Sequence, residues 1–293
     1  MKFHLLILAA VLVWTLMVPP VPAAAADPAA IAPGSTVVFV AGDRSKRSIM
    51  MVDPAGGMPV LLADLPGAMD TQPAVGPKGQ LAWIRQRGQK WELVENGRVV
   101  SGGEMHLSPA YKPDGTLVAA VSGPEETSIY AFTGSGRTLV VPGGQGGLVV
   151  SPTFSPDGSK VAYVSNQTDW AQIYVAPASG GSGTAITSAP TRHTDPDWSP
   201  TGEFIVFVAA ETDIWLVRPN GQDLRQLTKN QGINRDPGFS PDGRMIVFSS
   251  DRDGRSQLYV MNLDGSGQRP LLPGLSSTQN LPVWTQARPT PVK

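Results

Sequence analysis

One block of residues recurs along this chain and limits what it can fold into. It consists of Pro, any residue, an aromatic, then Ser-Pro-Asp-Gly, followed by an apolar run. It reads Pro152-Thr-Phe154-Ser-Pro-Asp-Gly158, Pro196-Asp-Trp198-Ser-Pro-Thr-Gly202 and Pro237-Gly-Phe239-Ser-Pro-Asp-Gly243. Fainter copies are Pro109-Ala-Tyr111-Lys-Pro-Asp-Gly115 and Pro73-Ala-Val75-Gly-Pro-Lys-Gly79. Successive glycines lie 36, 43, 44 and 41 residues apart, the period of a four-stranded propeller blade.

Within the block, Pro presets φ at the second turn position and Gly accepts a positive φ, so Ser-Pro-Asp-Gly predicts a tight hairpin turn. The runs that follow, such as Val161-Ala-Tyr-Val164 and Phe204-Ile-Val-Phe-Val208, are apolar throughout. Strands of that kind are buried on both faces, as between neighbouring blades. Phe39, Trp83, Tyr163, Phe207 and Phe248 follow the turn glycines by four or five residues and are expected in the inter-blade core. Trp91, Trp170 and Trp215 fall on or beside outer hairpins, where surface contact and edge cover are both open readings.

The ends of the chain set the blade count. Pro33-Gly34 opens the apolar run Val37–Val40 with no Pro-x-aromatic before it, and Pro282-Val-Trp284-Thr285 near the other end has no strand after it. Joined, the two halves make one blade, which closes the ring and removes its free edge. The expectation is an all-β, six-bladed β-propeller of four-stranded antiparallel blades over residues 33–286. The Pro-rich tail, 287–293, is expected to be disordered.

Composition agrees. The 32 Gly and 28 Pro are about a fifth of the chain against a usual eighth or so, an excess that argues against a helical bundle. A formal net charge of −1 offers no bulk attraction to nucleic acid or an anionic membrane. Zero Cys excludes a disulfide framework, a thiolate nucleophile and a zinc–thiolate site. Leu5–Val18 is an apolar run interrupted only by Thr15, suited to a signal-peptide core and shorter than the roughly 20 residues of a membrane span. Residues 1–26 therefore read as an export signal cleaved before Asp27, with 27–32 a short linker; an uncleaved anchor is the alternative. The mature protein is expected to be periplasmic or secreted, monomeric and without a membrane span.

The Pro-x-aromatic-Ser-Pro-Asp-Gly blocks, Ser249-Ser-Asp-Arg-Asp-Gly254 with Leu258-Tyr-Val-Met-Asn-Leu-Asp-Gly265, and Leu227-Thr228 resemble the TolB-like, WD40-like PD40 repeat family. The resemblance covers residue 33 to about 286 and is strongest in the last three blades. It implies a non-catalytic propeller of the cell envelope whose partner is a peptidoglycan-associated lipoprotein, with colicin binding as an exploited second role. The family's envelope members carry an α/β domain and a tether before the propeller. Here only 27–32 precede the first blade, so contacts made by that domain, including those to inner-membrane Tol proteins, are not implied. Similar propellers also cap peptidases and form sugar-lyase domains, so fold does not fix function.

No G-x-S-x-G elbow, P-loop or H-E-x-x-H occurs. Asp251-Arg-Asp253-Gly254 looks like the start of a calcium loop, but no later Glu completes the ligand set. Neither a metal nor a cofactor is assigned. Three positions before each leading Pro stand Asp70, His106, Val149, His193, Asn234 and Gln279. One position before it stand Gln72, Ser108, Ser151, Asp195, Asp236 and Leu281. Read as loops around the channel mouth, these nominate Asp70, His106, Arg192, His193, Asp195, Asn234, Arg235 and Asp236 as binding residues. They would dock a partner protein or peptide of the envelope. The alternative is a carbohydrate-active or small-ligand-binding propeller using the same His/Asp/Arg rim, with His106, His193, Asp70 and Asp195 as a metal or polar-ligand site. A third reading is a polar rim that merely faces water, with Asp or Ser before Pro starting turns.

Overall fold

The computed structural model describes residues 31–292 except 44, 135, 145 and 146. The expected export signal and most of the linker lie outside the described residues. The first blade takes β1 (Thr36–Gly42), β2 (Arg47–Val52) and β3 (Val60–Ala63) from the start of the chain. The second is β4 (Met69–Val75), β5 (Leu81–Arg87), β6 (Lys90–Glu95) and β7 (Arg98–Gly102). The third is β8 (Met105–Tyr111), β9 (Leu117–Ser122), β10 (Thr127–Thr133) and β11 (Gly136–Val141). The fourth is β12 (Val149–Phe154), β13 (Lys160–Ser165), β14 (Gln172–Pro177) and β15 (Thr184–Ala185). The fifth is β16 (His193–Trp198), β17 (Ile205–Ala209), β18 (Asp213–Val217) and β19 (Arg225–Gln226). The sixth is β20 (Asn234–Phe239), β21 (Met245–Ser250), β22 (Gln257–Asn262) and β23 (Arg269–Pro270). β24 (Gln279–Thr285) then pairs antiparallel with β1, Val37 opposite Trp284 and Ala41 opposite Gln279. The shared blade predicted from the two half-blocks is thereby formed, and six blades close the ring.

Six apolar clusters fill the six seams between blades, for example Tyr163 and Tyr174 with Ile129 between blades three and four. Burying such side chains contributes about 1.5–3 kcal/mol each. The Ser-Pro-Asp-Gly turns are built as expected. In the fourth blade Gly158 has φ 68°, its N–H donates to Ser155 O at 2.8 Å, and Ser155 Oγ donates to Asp157 and accepts the Lys160 N–H.

The leading Pro has a different role from the turn Pro: it sits in the middle of the innermost strand. In every blade the ladder skips a residue there, between Thr71 and Ala74 in the second and between Thr194 and Asp197 in the fifth. The residue before Pro has a left-handed backbone in all six blades, φ 48–54° at Gln72, Ser108, Ser151, Asp195, Asp236 and Leu281. This is a β-bulge, two residues opposing one. Pro suits it because Pro has no N–H to lose from the ladder. The residue opposite the bulge is the core aromatic: Phe39, Trp83, Tyr163, Phe207 or Phe248, with Ala119 in the third blade. All five aromatics are fully buried.

The bulge residues also bridge blades. Gln72 Oε1 accepts the Ser108 N–H at 2.8 Å, Ser108 Oγ lies 3.4 Å from Ser151 Oγ, and Asp236 Oδ2 accepts the Leu281 N–H at 3.2 Å. One turn deeper, Thr153 Oγ1 accepts the Trp198 N–H and Asp197 Oδ2 accepts the Phe239 N–H. Five seams are bridged in this way. At the sixth, from blade one to blade two, the bulge residue is Leu281, which has no acceptor to offer.

Residues 287–292 run beneath the seam between blades one and two. Pro289 is buried, Val292 packs against the cluster of Leu62, Leu81 and Val94, and its N–H donates to Leu62 O at 2.8 Å. An apolar seam left open at its lower end gives the tail's Pro and Val a surface to cover, which composition alone does not reveal.

Leu281 is thus both strained and unable to bridge. Replacing it with Asn, which tolerates a left-handed backbone and carries an acceptor, is expected to stabilise the protein by about 1–2 kcal/mol. Equilibrium urea unfolding of Leu281→Asn beside the parent measures this.

Candidate functional site

Because the bulge turns the backbone at the residue before Pro, it decides which side chains reach the central channel. In a regular strand, residues two apart share a face. The left-handed residue breaks that alternation, so the positions three and one before Pro part company. The channel cavity has a volume of about 250 Å³ and is walled by Gln72, Ser108, Ser151, Asp195, Asp197 and Asp236 among others. Leu281 adds one apolar patch.

The nominated residues therefore separate into two groups. Asp195 and Asp236 line the channel, with exposed Arg235 next to Asp236 in the chain. Arg192 is on the surface, within 3.3 Å of Glu211. Asp70, His106, His193 and Asn234 are buried in the seams and do not reach the channel. This corrects their reading as mouth loops: they begin the innermost strands. The His193 N–H donates to Ala171 O, and the Asn234 N–H donates to Thr212 O, each on the preceding blade.

Three of these buried side chains have hydrogen-bond partners, whereas His193 Nδ1 is buried without one. Asp70 accepts from Trp83 Nε1 at 2.9 Å and from Arg85 Nε at 2.8 Å, and Arg85 lies over the Trp83 ring. His106 Nδ1 donates to Glu104 O at 2.8 Å, leaving Nε2 to accept from Ser101 Oγ at 2.9 Å. The carbonyl can only accept, so this tautomer is fixed. His193 packs against Phe207 with ring centroids 5.1 Å apart, and burial pulls its imidazole down to about 4. Asn234 Oδ1 accepts from Arg252 Nη2 at 2.9 Å. Among the described residues no three His, Asp or Glu side chains converge as metal ligands would, so the rim of His106, His193, Asp70 and Asp195 is not assembled. The shared repeat position of the two histidines reflects a shared place in the core.

What converges is acidic. Burial, together with the neighbouring Asp236 carboxylate, raises Asp195 to about 6. Burial raises Asp197 to about 6 against the opposing Phe239 hydrogen bond, and it also raises Asp236. Asp197 was not nominated from the sequence. Its signal is faint: the residue after the leading Pro is Asp in one blade alone, against Ala, Ala, Thr, Gly and Val in the others. The channel is polarised, with carboxylates on blades five and six and neutral amides or hydroxyls on blades two to four.

Two outcomes follow. Asp70→Ala strands the Arg85 guanidinium in the core and is expected to cost about 3–5 kcal/mol in denaturant unfolding. Asp195 has a raised pKa in the folded state, so its stabilising contribution is complete below about pH 4, the unfolded value, and is lost as pH rises through about 6. Asp195→Asn should therefore equal the parent near pH 4 and exceed it at pH 7.5. Allowing for partial solvent screening, the gain is on the order of 1 kcal/mol. Melting curves at the two pH values check it.

A "Protein TolB homolog" from Chlorobium luteolum is 42% identical over 76 residues, 25% of this chain and 17% of that protein. The Tol-Pal system protein TolB of Bordetella pertussis is 44% identical over 55 residues, 18% of this chain and 13% of that protein. These matches span far less than two thirds of either relative. The crystal structure of TolB from Acinetobacter baumannii superposes with a TM-score of 0.73 at 19% identity, over 86% of this chain and 66% of that one. Enzymes share the fold as well, an oligogalacturonate lyase with manganese among them at 13% identity. The family model described as the TolB beta propeller domain, PD40, matches residues 94–213 and 208–286, from the second blade's third strand to the end of the closing strand. With that model covering more than half of the sequence and the bulged blades repeating around a closed ring, the chain belongs to the PD40 family of TolB beta propeller domains.

Proposed function

We propose that this protein is an exported, non-catalytic propeller that docks a partner protein or peptide of the cell envelope at its channel mouth. The observation that carries this reading is the channel itself, an opening of about 250 Å³ in which Asp195, Asp197 and Asp236 stand in a wall that also carries six prolines. Small-molecule sites typically enclose about 300–1,000 Å³, so this channel suits one or two inserted side chains better than a sugar chain. The surrounding rim supplies the contact area, with Arg192 and Arg235 exposed upon it. The carbohydrate reading has less support, because His106, His193 and Asp70 are committed to the core. The Bordetella relative bears the name of the Tol-Pal system, and by that likeness the partner class is a peptidoglycan-associated lipoprotein. The expected export signal at residues 1–26 supports placement in the periplasm.

The test is binding of the soluble domain of the peptidoglycan-associated lipoprotein from the same cell, measured by calorimetry. Asp195→Lys with Asp236→Lys is expected to weaken binding at least tenfold, while Asp114→Lys, on a turn far along the strand from the mouth, leaves it unchanged. Binding that ignores the channel substitutions would overturn the docking site. Turnover of an acidic oligosaccharide by the purified protein would favour the enzymatic reading instead.

A further inference from the structure

The ring of lower turns is assembled by a repeated contact. In blades four to six a Cβ placed on the turn glycine would meet the turn Pro of the preceding blade: Gly158 against Pro113 at 3.5 Å, Gly202 against Pro156 at 3.6 Å, Gly243 against Pro200 at 3.3 Å; at Gly115 it would meet Gln80 first, at 3.0 Å, and at Gly34 it would meet Gln286 of the tail's start, at 3.7 Å. At Gly79 of the second blade this pattern has no turn Pro to use. The preceding blade is the shared one, and its Pro-x-Trp strand β24 is not joined to β1 by a turn. The space is filled by the tail: a Cβ on Gly79 would lie 3.2 Å from Arg288 O and 4.0 Å from Pro289 N. Farther along, a Cβ on Gly97 would meet Val292 Cγ1 at 2.5 Å, and the Val292 N–H is bonded to Leu62 O of the first blade. The tail thus touches both sides of one seam. It is the same seam at which Leu281 leaves the channel-side hydrogen bond unmade.

We propose that residues 286–292 are a strap, a second latch of the ring that stands in for the missing turn and holds blade one to blade two separately from the β24–β1 pairing. The two latches act on different joints. β24 completes the shared blade through its ladder to β1, with Trp284 Nε1 on Ser35 Oγ. The strap closes the seam between that blade and the next. Its release would bare the outer strand β3, whose Val60 and Leu61 are already half open to solvent, and the small cavity of about 100 Å³ that Arg288 lines with Met51, Met58 and Val60.

The experiment removes residues 287–293 from the full chain, leaving β24 whole, and follows amide hydrogen exchange by mass spectrometry. The expected result is a folded ring in which exchange of Val60–Ala63 and of the turns at Gly79 and Gly97 accelerates at least tenfold. Exchange in β14 and β18, on the far side, should be unchanged. Val292→Asp in the full-length chain should reproduce the local effect, and it decides the matter if the truncated chain does not fold. Leu281→Asn, which offers the seam a hydrogen bond of its own, should recover more protection in the truncated chain than it adds to the intact one. Unchanged exchange around Gly79 and Leu62 in both the truncated chain and Val292→Asp would overturn the proposal. So would acceleration spread evenly over all six blades, because the tail would then support the ring as a whole and not one seam.

Discussion

Everything in this molecule depends on the antiparallel pairing of its last strand with its first. Without β24 the shared blade has no innermost strand, the channel has a gap in its wall, and two apolar seams face water. The pairing is long-range in the chain and short in space: Thr36 lies opposite Thr285 and Ala41 opposite Gln279. Closing so long a loop has an entropic cost that grows only logarithmically with its length. The two seams flanking the closed blade, with Phe39, Val247 and Trp284 in one and Val38, Leu62 and Trp83 in the other, bury far more apolar surface than is needed to offset it.

Given a closed ring, one local distortion repeated six times sets the character of the channel. The bulge places Pro where its missing N–H does no harm, puts an aromatic opposite it in five blades, and turns the residue before Pro toward the axis. Each blade thereby presents a single side chain whose backbone is already strained, and strain of this kind persists only when the surroundings hold it. Here the surroundings are the next blade, whose backbone N–H donates to the bulge side chain at two seams. Channel wall and seam are one structure, and the carboxylates that give the channel its charge are also braces. That double duty is why Asp197 and Asp236 hold half-buried positions despite the cost to their charged forms.

The weak seam and the tail belong together. Leu281 breaks the ring of bridging side chains at the seam from blade one to blade two, where β2 and β4 meet in a short parallel pairing with Arg47 opposite Met69, and the tail lies across that seam from below.

Much of this was legible in the residues, and the reason is repetition. The Pro-x-aromatic-Ser-Pro-Asp-Gly period revealed the blades, the half-blocks at Gly34 and Trp284 revealed the shared one, and the buried fate of Phe207 or Phe248 followed from its place after the turn. The site was harder to read. His106 and His193 looked paired because they share a repeat position, yet a repeat position fixes only where a residue sits along its strand. Whether its side chain faces the channel or the seam depends on the left-handed φ two residues later, and no residue type announces that angle: Gln, Ser, Asp and Leu all adopt it here. The tail's path was equally hidden, since its docking surface is made by two blades distant from it in sequence. By itself the sequence determined the number of blades, their order and their core, because turn chemistry and apolar runs act locally and recur. Only the tertiary structure decided which polar side chains meet and which seam needs a strap, because both depend on contacts between blades that share no sequence neighbourhood.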